Sequence, residues 1–270
     1  MKAAWLPRVA LHAGAVILSL WVVLPIYFIT LAAFSTQDAV YKYPKNLVPQ
    51  DLSTETMRFF LNSAGVVDSL QRSVFVAALT LLFALGVGTP AGYAIARFVF
   101  RGANGFRLAV VSTRAFPIVI LSIPLAVTYI RWGIDDSVLG VALAHTALAL
   151  PFAVLVTSSV FAGISVELEE AAMTLGCSRM AAFRKIALPL ALPGLAAAAI
   201  FVFIISWNEV FAASILTLRN PTLPAQVLSV LNESALPFRF AGGFFLLAPS
   251  LIVIFVIRKY LFNMWGRVVK

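Results

Sequence analysis

The sequence predicts an all-α integral membrane protein with six transmembrane helices and both termini cytoplasmic, and three observations carry that prediction. Of 270 residues, 61% are hydrophobic and 11% charged, with a mean hydropathy of +0.98, whereas soluble domains run at about 45–50% and about 25%. Six stretches are long and apolar enough to cross a hydrocarbon core of about 30 Å at about 1.5 Å per residue. The charges between those stretches are divided unequally between the two sides of the membrane.

The first stretch, 12–34, follows Lys2 and Arg8 as the apolar part of a signal peptide would. Its apolar run is about 23 residues long and no small-x-small cleavage site follows, so it is expected to be retained. Residues 35–73, with Pro44 and Pro49, form an extracytoplasmic loop. The second and third spans are placed at 74–96 and 108–130, the third carrying Pro117 and Pro124, where kinks are expected. The fourth, 138–162, contains Pro151, and the fifth, 190–216, begins near Pro193. A second extracytoplasmic loop, 217–241, with Pro221, Pro224 and Pro237, leads to the sixth span at 242–257. Both loops suit docking of an external protein, and solvated linkers have the same composition.

Charge sets the orientation. With both ends inside, the cytoplasmic segments hold Lys2, Arg8, Arg97, Arg101, Arg107, Arg179, Arg184, Lys185, Arg258, Lys259, Arg267 and Lys270 against Glu167, Glu169 and Glu170. The opposite segments are balanced, with Lys42, Lys45, Arg58, Arg72, Arg131, Arg219 and Arg239 against Asp38, Asp51, Glu55, Asp68, Asp135, Asp136 and Glu233. The whole formal charge of +9 therefore lies on one side, the positive-inside pattern. Basicity thus needs no nucleic acid, and no aromatic residues interleave with clustered Arg or Lys.

In the loop between spans four and five the stretch ELEEAAMTLGCSRMAAFRKIALPLALPG, 167–194, interrupts the apolar chain. Ser165 can cap a helix whose first turn holds Glu167, Glu169 and Glu170, where the helix dipole favours negative charge. Leu168, Ala171, Ala172 and Leu175 recur on one narrow stripe, opposite Glu167, Glu170 and Thr174. Gly176 is placed to end the helix. Ser178 can cap a second short helix with Arg184 and Lys185, and Pro189 and Pro193 are expected to turn the chain into the membrane. A helix resting on lipid would carry Lys or Arg opposite bulky anchors. This one carries acids opposite small residues, which suits a protein partner.

Glu170-Ala171-Ala172, three residues, Gly176, nine residues, Ile186, one residue and Leu188-Pro189 resemble the EAA loop of the permease subunits of bacterial ATP-binding-cassette importers. AGYAIARFVFRG (91–102), TRAFPIVILSIPL (113–125), ALPFAVLVTSSVFAGISVELEEAA (149–172) and SWNEVFAASILT (206–217) extend the likeness, from about 70 to 262, to the carbohydrate-uptake branch and its maltose-type six-span permease. The chain departs from that branch at Leu175, where Asp is usual, at Asp135-Asp136-Ser137, which replaces a Leu-Asp-Thr-like turn, and in its final MWGRVVK. The resemblance implies the type I importer permease fold as a single transmembrane domain over 1–270, with a coupling helix in the loop 163–189. It implies a heterodimer with a second permease subunit, two ATPase subunits and an extracytoplasmic solute-binding protein, in the cytoplasmic (inner) membrane among its lipids. It also implies that Glu170, Ala171, Ala172, Gly176, Ile186, Leu188 and Pro189 form the ATPase contact, Glu170 by charge and Ala171, Ala172 and Gly176 by close approach. Glu170 could instead serve only its own helix dipole.

No G-x-x-x-x-G-K-[ST] loop occurs, so no catalytic residue and no cofactor of its own are expected, with ATP and Mg on the partner subunits. No metal site is expected, because one cysteine, Cys177, and two histidines 133 residues apart make no ligand set. His12 and His145 are expected to be hydrogen-bonded inside the membrane. Arg114 and Glu209 are charges within spans, hence pathway candidates. They lie about 10 Å apart in depth, too far to pair unless Pro117 distorts span three, and Arg114 could simply snorkel. Trp207, Asn208 and Glu209 together could bind a polyol, the ring against CH faces and the polar groups on hydroxyls. The competing reading packs Trp207 and uses Asn208 and Glu209 between helices. A secondary transporter would need internal repeats and more intramembrane carboxylates, and a membrane enzyme a convergent catalytic set. An importer permease for a non-carbohydrate solute is the serious alternative.

Overall fold

The computed structural model describes residues 5–48, 52–98 and 101–265. Among them are thirteen α-helices, and no strand. The chain forms two compact units, one of 1–67 with 230–248 and the other of 68–229 with 249–270.

The first unit contains α1 (Trp5–Ala33), α2 (Gln37–Tyr41), α3 (Glu55–Leu61) and the beginning of a long final helix. Thr36 caps α2, its hydroxyl accepting from the Ala39 N–H at 3.3 Å. The Ser53 N–H donates to the Phe34 carbonyl at 2.9 Å and the Thr56 hydroxyl to that of Ser35 at 2.8 Å, which fastens the segment leading into α3 to the end of α1. Phe60 is fully buried between Phe238 and Phe245, with ring centroids 4.8 and 5.3 Å away.

The second unit takes nearly all of α4 (Val66–Arg97), then α5 (Ala103–Ser112), α6 (Ile118–Trp132), α7 (Val138–Ala162), α8 (Glu167–Thr174), α9 (Arg179–Ala182), α10 (Leu188–Trp207), α11 (Phe211–Leu216), α12 (Leu223–Ser229) and the end of α13 (Leu236–Trp265). Its hub is α7, with half its span buried where α1 has none. Three apolar clusters follow α7 along its length, around Val141 and Ala142, around Ala149 and Ala153, and around Phe161. Small residues set the helix spacing, as expected where close backbone approach must supply the packing energy. A Cβ on Gly92 would reach 2.7 Å from the Ser158 nitrogen, and one on Gly88 2.9 Å from the Ala153 Cβ. Gly194 likewise leaves room only for Val160.

Among the described residues, five helices are long and apolar enough to cross a membrane, six if one bent pair is counted as a span. The fourth span is Val138–Ala162, as expected, while the first and second helices begin earlier, at Trp5 and Val66. The third is broken rather than kinked. Residues 103–115 and 118–132 meet at 88°, because Pro117 cannot donate an N–H and forces extended geometry on Phe116 (φ −83°, ψ 120°). The fifth is also corrected. Its helical run starts at Arg179, passes through Pro189 and Pro193 and ends at Trp207 rather than at 216. Pro189 and Pro193 therefore make no turn; the helical run continues through both. A π-helical turn, Phe183–Ala187, precedes Pro189, a wider winding that relieves the clash a proline ring makes with the preceding turn.

Candidate functional sites

The helix α8 has the ends its sequence calls for. The Ser165 hydroxyl accepts from the Glu167 N–H at 3.3 Å. At the other end Gly176, at φ +91°, lets its own N–H reach the Met173 carbonyl and the Cys177 N–H that of Ala172, each at 3.0 Å; this is the left-handed termination that a side chain would strain. The Ser178 hydroxyl accepts from the Ala181 N–H at 3.2 Å, starting the run into α10. Ile186 lies in the π turn, half-buried, and Leu188 and Pro189 open α10.

On α8 apolar and acidic side chains share the outer surface. Leu168 and Ala171 face outward with Glu167 and Glu170, Ala172 and Met173 are half-buried, and Leu175, just past the helix, is 88% exposed. The one buried side chain of α8 is Glu169, at 3%. Arg97 Nε donates to Glu169 Oε1 at 2.7 Å and the Tyr93 hydroxyl to Oε2 at 2.5 Å. The same guanidinium donates from its two terminal nitrogens to the carbonyls of Phe161 at 2.8 Å and Ile164 at 3.0 Å. Such a pair persists in a buried place only when every polar atom is matched, as here. The Tyr93 ring fills the space beside it, 4.5 Å from Phe183 and 5.3 Å from Phe161 between centroids. Sequence reasoning grouped Glu169 with its neighbours as a first-turn acid and counted Arg97 only toward orientation. The available signal was spacing, since Glu169 lies about 100° around the helix from Glu170.

A second polar cluster lies where α10 ends. Trp207 is 2% exposed and stacks on Phe203, with centroids 5.5 Å apart and planes at 14°. Asn208 is exposed, its amide donating back to the Ile204 carbonyl at 3.1 Å. Glu209 restarts the helix, its two oxygens accepting from the N–H groups of Ala212 and Ala213 at 3.0 and 3.1 Å. The side chain nearest its carboxylate is His145 rather than Arg114, with Nε2 3.3 Å from Oε2. His145 Nδ1 lies 3.0 Å from the Ser206 hydroxyl, which reaches Thr80 at 3.3 Å. One buried polar chain thus links α4, α7 and the break after α10. Arg114 is exposed, in a 3-10 turn, Thr113–Ala115, at the broken third span.

Asp136 is a residue whose work the sequence concealed. At φ +51° it presents Oδ1 to the N–H groups of Arg219 and Asn220 at 3.1 and 3.0 Å and Oδ2 to the Asn220 amide at 3.0 Å, clipping the turn after α6 to the turn after α11. A cavity of about 520 Å³ in the first unit, between the end of α1 and residues 35–48, contains none of the candidate residues.

Residues 88–264 match the family described as binding-protein-dependent transport system inner membrane component. The chain belongs to that family. Among inner membrane components of this kind, the diacetylchitobiose uptake system permease protein DasC of Streptomyces coelicolor is 30% identical over 210 residues, 77% of this chain and 76% of that protein. The trehalose transport system permease protein SugB of Mycobacterium tuberculosis is 33% identical over 181 residues, 67% of this chain and 66% of SugB. In the crystal structure of a bacterial ABC transporter involved in the import of the acidic polysaccharide alginate, one chain superposes with a TM-score of 0.76 at 22% identity. That match covers 96% of this chain and 98% of the other. The importer-permease fold expected from the EAA loop is thus the fold observed, and the protein is a multi-pass component of the inner membrane.

Proposed function

We propose that this chain is the permease subunit of an ATP-driven importer for a sugar, glycoside or polyol delivered by an extracytoplasmic solute-binding protein. The uptake of diacetylchitobiose and trehalose named for its relatives supports the solute class. One observation carries the mechanism: α8 leaves Leu168 and Ala171 exposed, with Leu175 just past its end, and holds a carboxylate inward. A helix meant to rest on its own chain would do the reverse. The outward row Leu168, Ala171 and Leu175, with Glu170 beside it, is the surface on which an ATPase subunit docks. Small Ala171 and Ala172 and the bare Gly176 turn admit its backbone, and Glu170 meets a basic side chain. Ile186, Leu188 and Pro189 brace the docked helix from the start of α10.

ATP and Mg belong to the two ATPase partners, and this chain works as one transmembrane domain paired with a second permease subunit. With the positive face inside, closing of the ATPase dimer moves α8 and rocks the spans about a central path. Glu209 and Asn208, at the break in the fifth span, and Arg114, at the break in the third, are the polar groups of this chain nearest such a path. Trp207 supports them from inside the fold.

The test uses the complex reconstituted with its partner subunits and binding protein, screened with sugars, polyols, amino acids and polyamines. A carbohydrate should stimulate ATP hydrolysis, and Glu170→Lys should abolish the stimulation. Stimulation by a polyamine or amino acid alone would overturn the solute class. Wild-type behaviour of Glu170→Lys would overturn the docking surface.

A further inference from the structure

The coupling helix is joined to the rest of the chain by short connections, residues 163–166 and 175–178, and contributes one buried side chain. Packing alone would be served by a leucine there. A carboxylate is instead taken out of water, and the Arg97–Glu169 contact is the only Lys or Arg to carboxylate pair within 4 Å among the described residues. Both side chains are almost fully enclosed, 5% and 4% exposed. Each nitrogen of the guanidinium is also used: one holds α8, a second the last turn of α7 and the third the connection between them. Arg97 itself closes α4.

Behind this joint the helices leave little room to slip. The Thr157 hydroxyl donates to the Gly88 carbonyl at 2.9 Å, Gly92 lies against Thr157 and Ser158, and Gly194 against Val160. Packed interiors of this kind transmit displacement rather than absorb it. Phe183, packed against Tyr93 with ring planes at 55°, adds the root of α10 to the same cluster.

From this geometry we infer that Arg97, Glu169 and Tyr93 form the joint that delivers the movement of α8 to α4 and α7, so that they are positioning residues for energy coupling. The inference rests on the docking of α8 to the ATPase stated above. Glu170 and Glu169 then divide the work of one helix, Glu170 facing the motor and Glu169 the load. A flexible apolar contact would let α8 tilt under force without moving the spans. The directional bonds of a planar guanidinium do not.

The experiment compares Glu169→Gln, Arg97→Lys and Tyr93→Phe in the reconstituted complex, measuring solute transported per ATP hydrolysed. All three keep side-chain volume, and Tyr93→Phe removes a single hydroxyl while leaving its ring contacts, so at least that variant should fold. Glu169→Gln and Arg97→Lys should assemble with the ATPase subunits and hydrolyse ATP at the basal rate while transport per ATP falls about fivefold or more, with a smaller fall for Tyr93→Phe. A mere staple would lower the yield or thermal stability of the complex and leave transport per ATP unchanged in what assembles, and that result overturns the inference. A crosslink from position 175 to the ATPase separates the two claims. If it forms while the ratio is unchanged, only the joint is wrong; if it fails, the docking reading falls first.

Discussion

Replacing Gly92 by alanine should cost more than the same change at Gly88 and far more than at Gly86, although all three glycines lie on α4. An alanine Cβ at 92 would stand 2.7 Å from the Ser158 nitrogen and 2.9 Å from the Thr157 carbonyl carbon, both backbone atoms, besides overlapping the Thr157 hydroxyl. At 88 the nearest atom is the Ala153 Cβ at 2.9 Å, with backbone no nearer than 3.4 Å, and at 86 nothing lies within 4 Å. Backbone cannot rotate away, so α4 and α7 must separate near residue 92. Overpacking of that kind costs about 1–3 kcal/mol, a shift of roughly fivefold to a hundredfold in the folding equilibrium. The separation would also pull Arg97 from the α7 carbonyls. Equilibrium unfolding in mixed micelles, followed by tryptophan fluorescence, should therefore rank Gly86→Ala near wild type, Gly88→Ala lower and Gly92→Ala lowest. Equal stabilities across the three would refute the claim that α4 and α7 meet through glycine.

Asp136→Ala should destabilise by about 1–3 kcal/mol, since it removes acceptors for three donors at a left-handed backbone position. Asp136→Asn keeps one acceptor and the backbone preference and should lose less than half of that in the same unfolding measurement. For the buried pair, a double-mutant cycle of His145→Ala and Glu209→Ala should give a coupling of about 0.5–3 kcal/mol, because the two side chains are in direct contact. Additive losses would mean that the 3.3 Å approach carries no energy.

The spans were legible because their signals are local. Length, hydropathy and charge asymmetry place helices whatever their neighbours do, and Val138–Ala162 matches its expected bounds to the residue. The ends of α8 were equally legible, since Ser165, Gly176 and Ser178 act on backbone atoms a few residues away. Prolines were read less well. Pro117 breaks its span, whereas Pro189 and Pro193 sit inside a continuous run, and the difference depends on whether the preceding turn can widen, as it does at 183–187. Partners distant in sequence were not legible. Glu169 meets Arg97 across 72 residues and Asp136 meets Asn220 across 84, and no periodicity links such positions. Glu209 was marked as a charge within a span, but what lies beside it depended on the breaks that bring α7 and α11 to it.

The central claim is that the outward face of α8 is covered by an ATPase subunit. It is tested most directly by placing a photo-crosslinking amino acid at Leu175, the most exposed large apolar side chain of that loop, in the assembled complex within its membrane. The account predicts a crosslink to the ATPase subunit that weakens when Glu170→Lys is added. A product with lipid alone, at the same yield with or without the ATPase present, would contradict it.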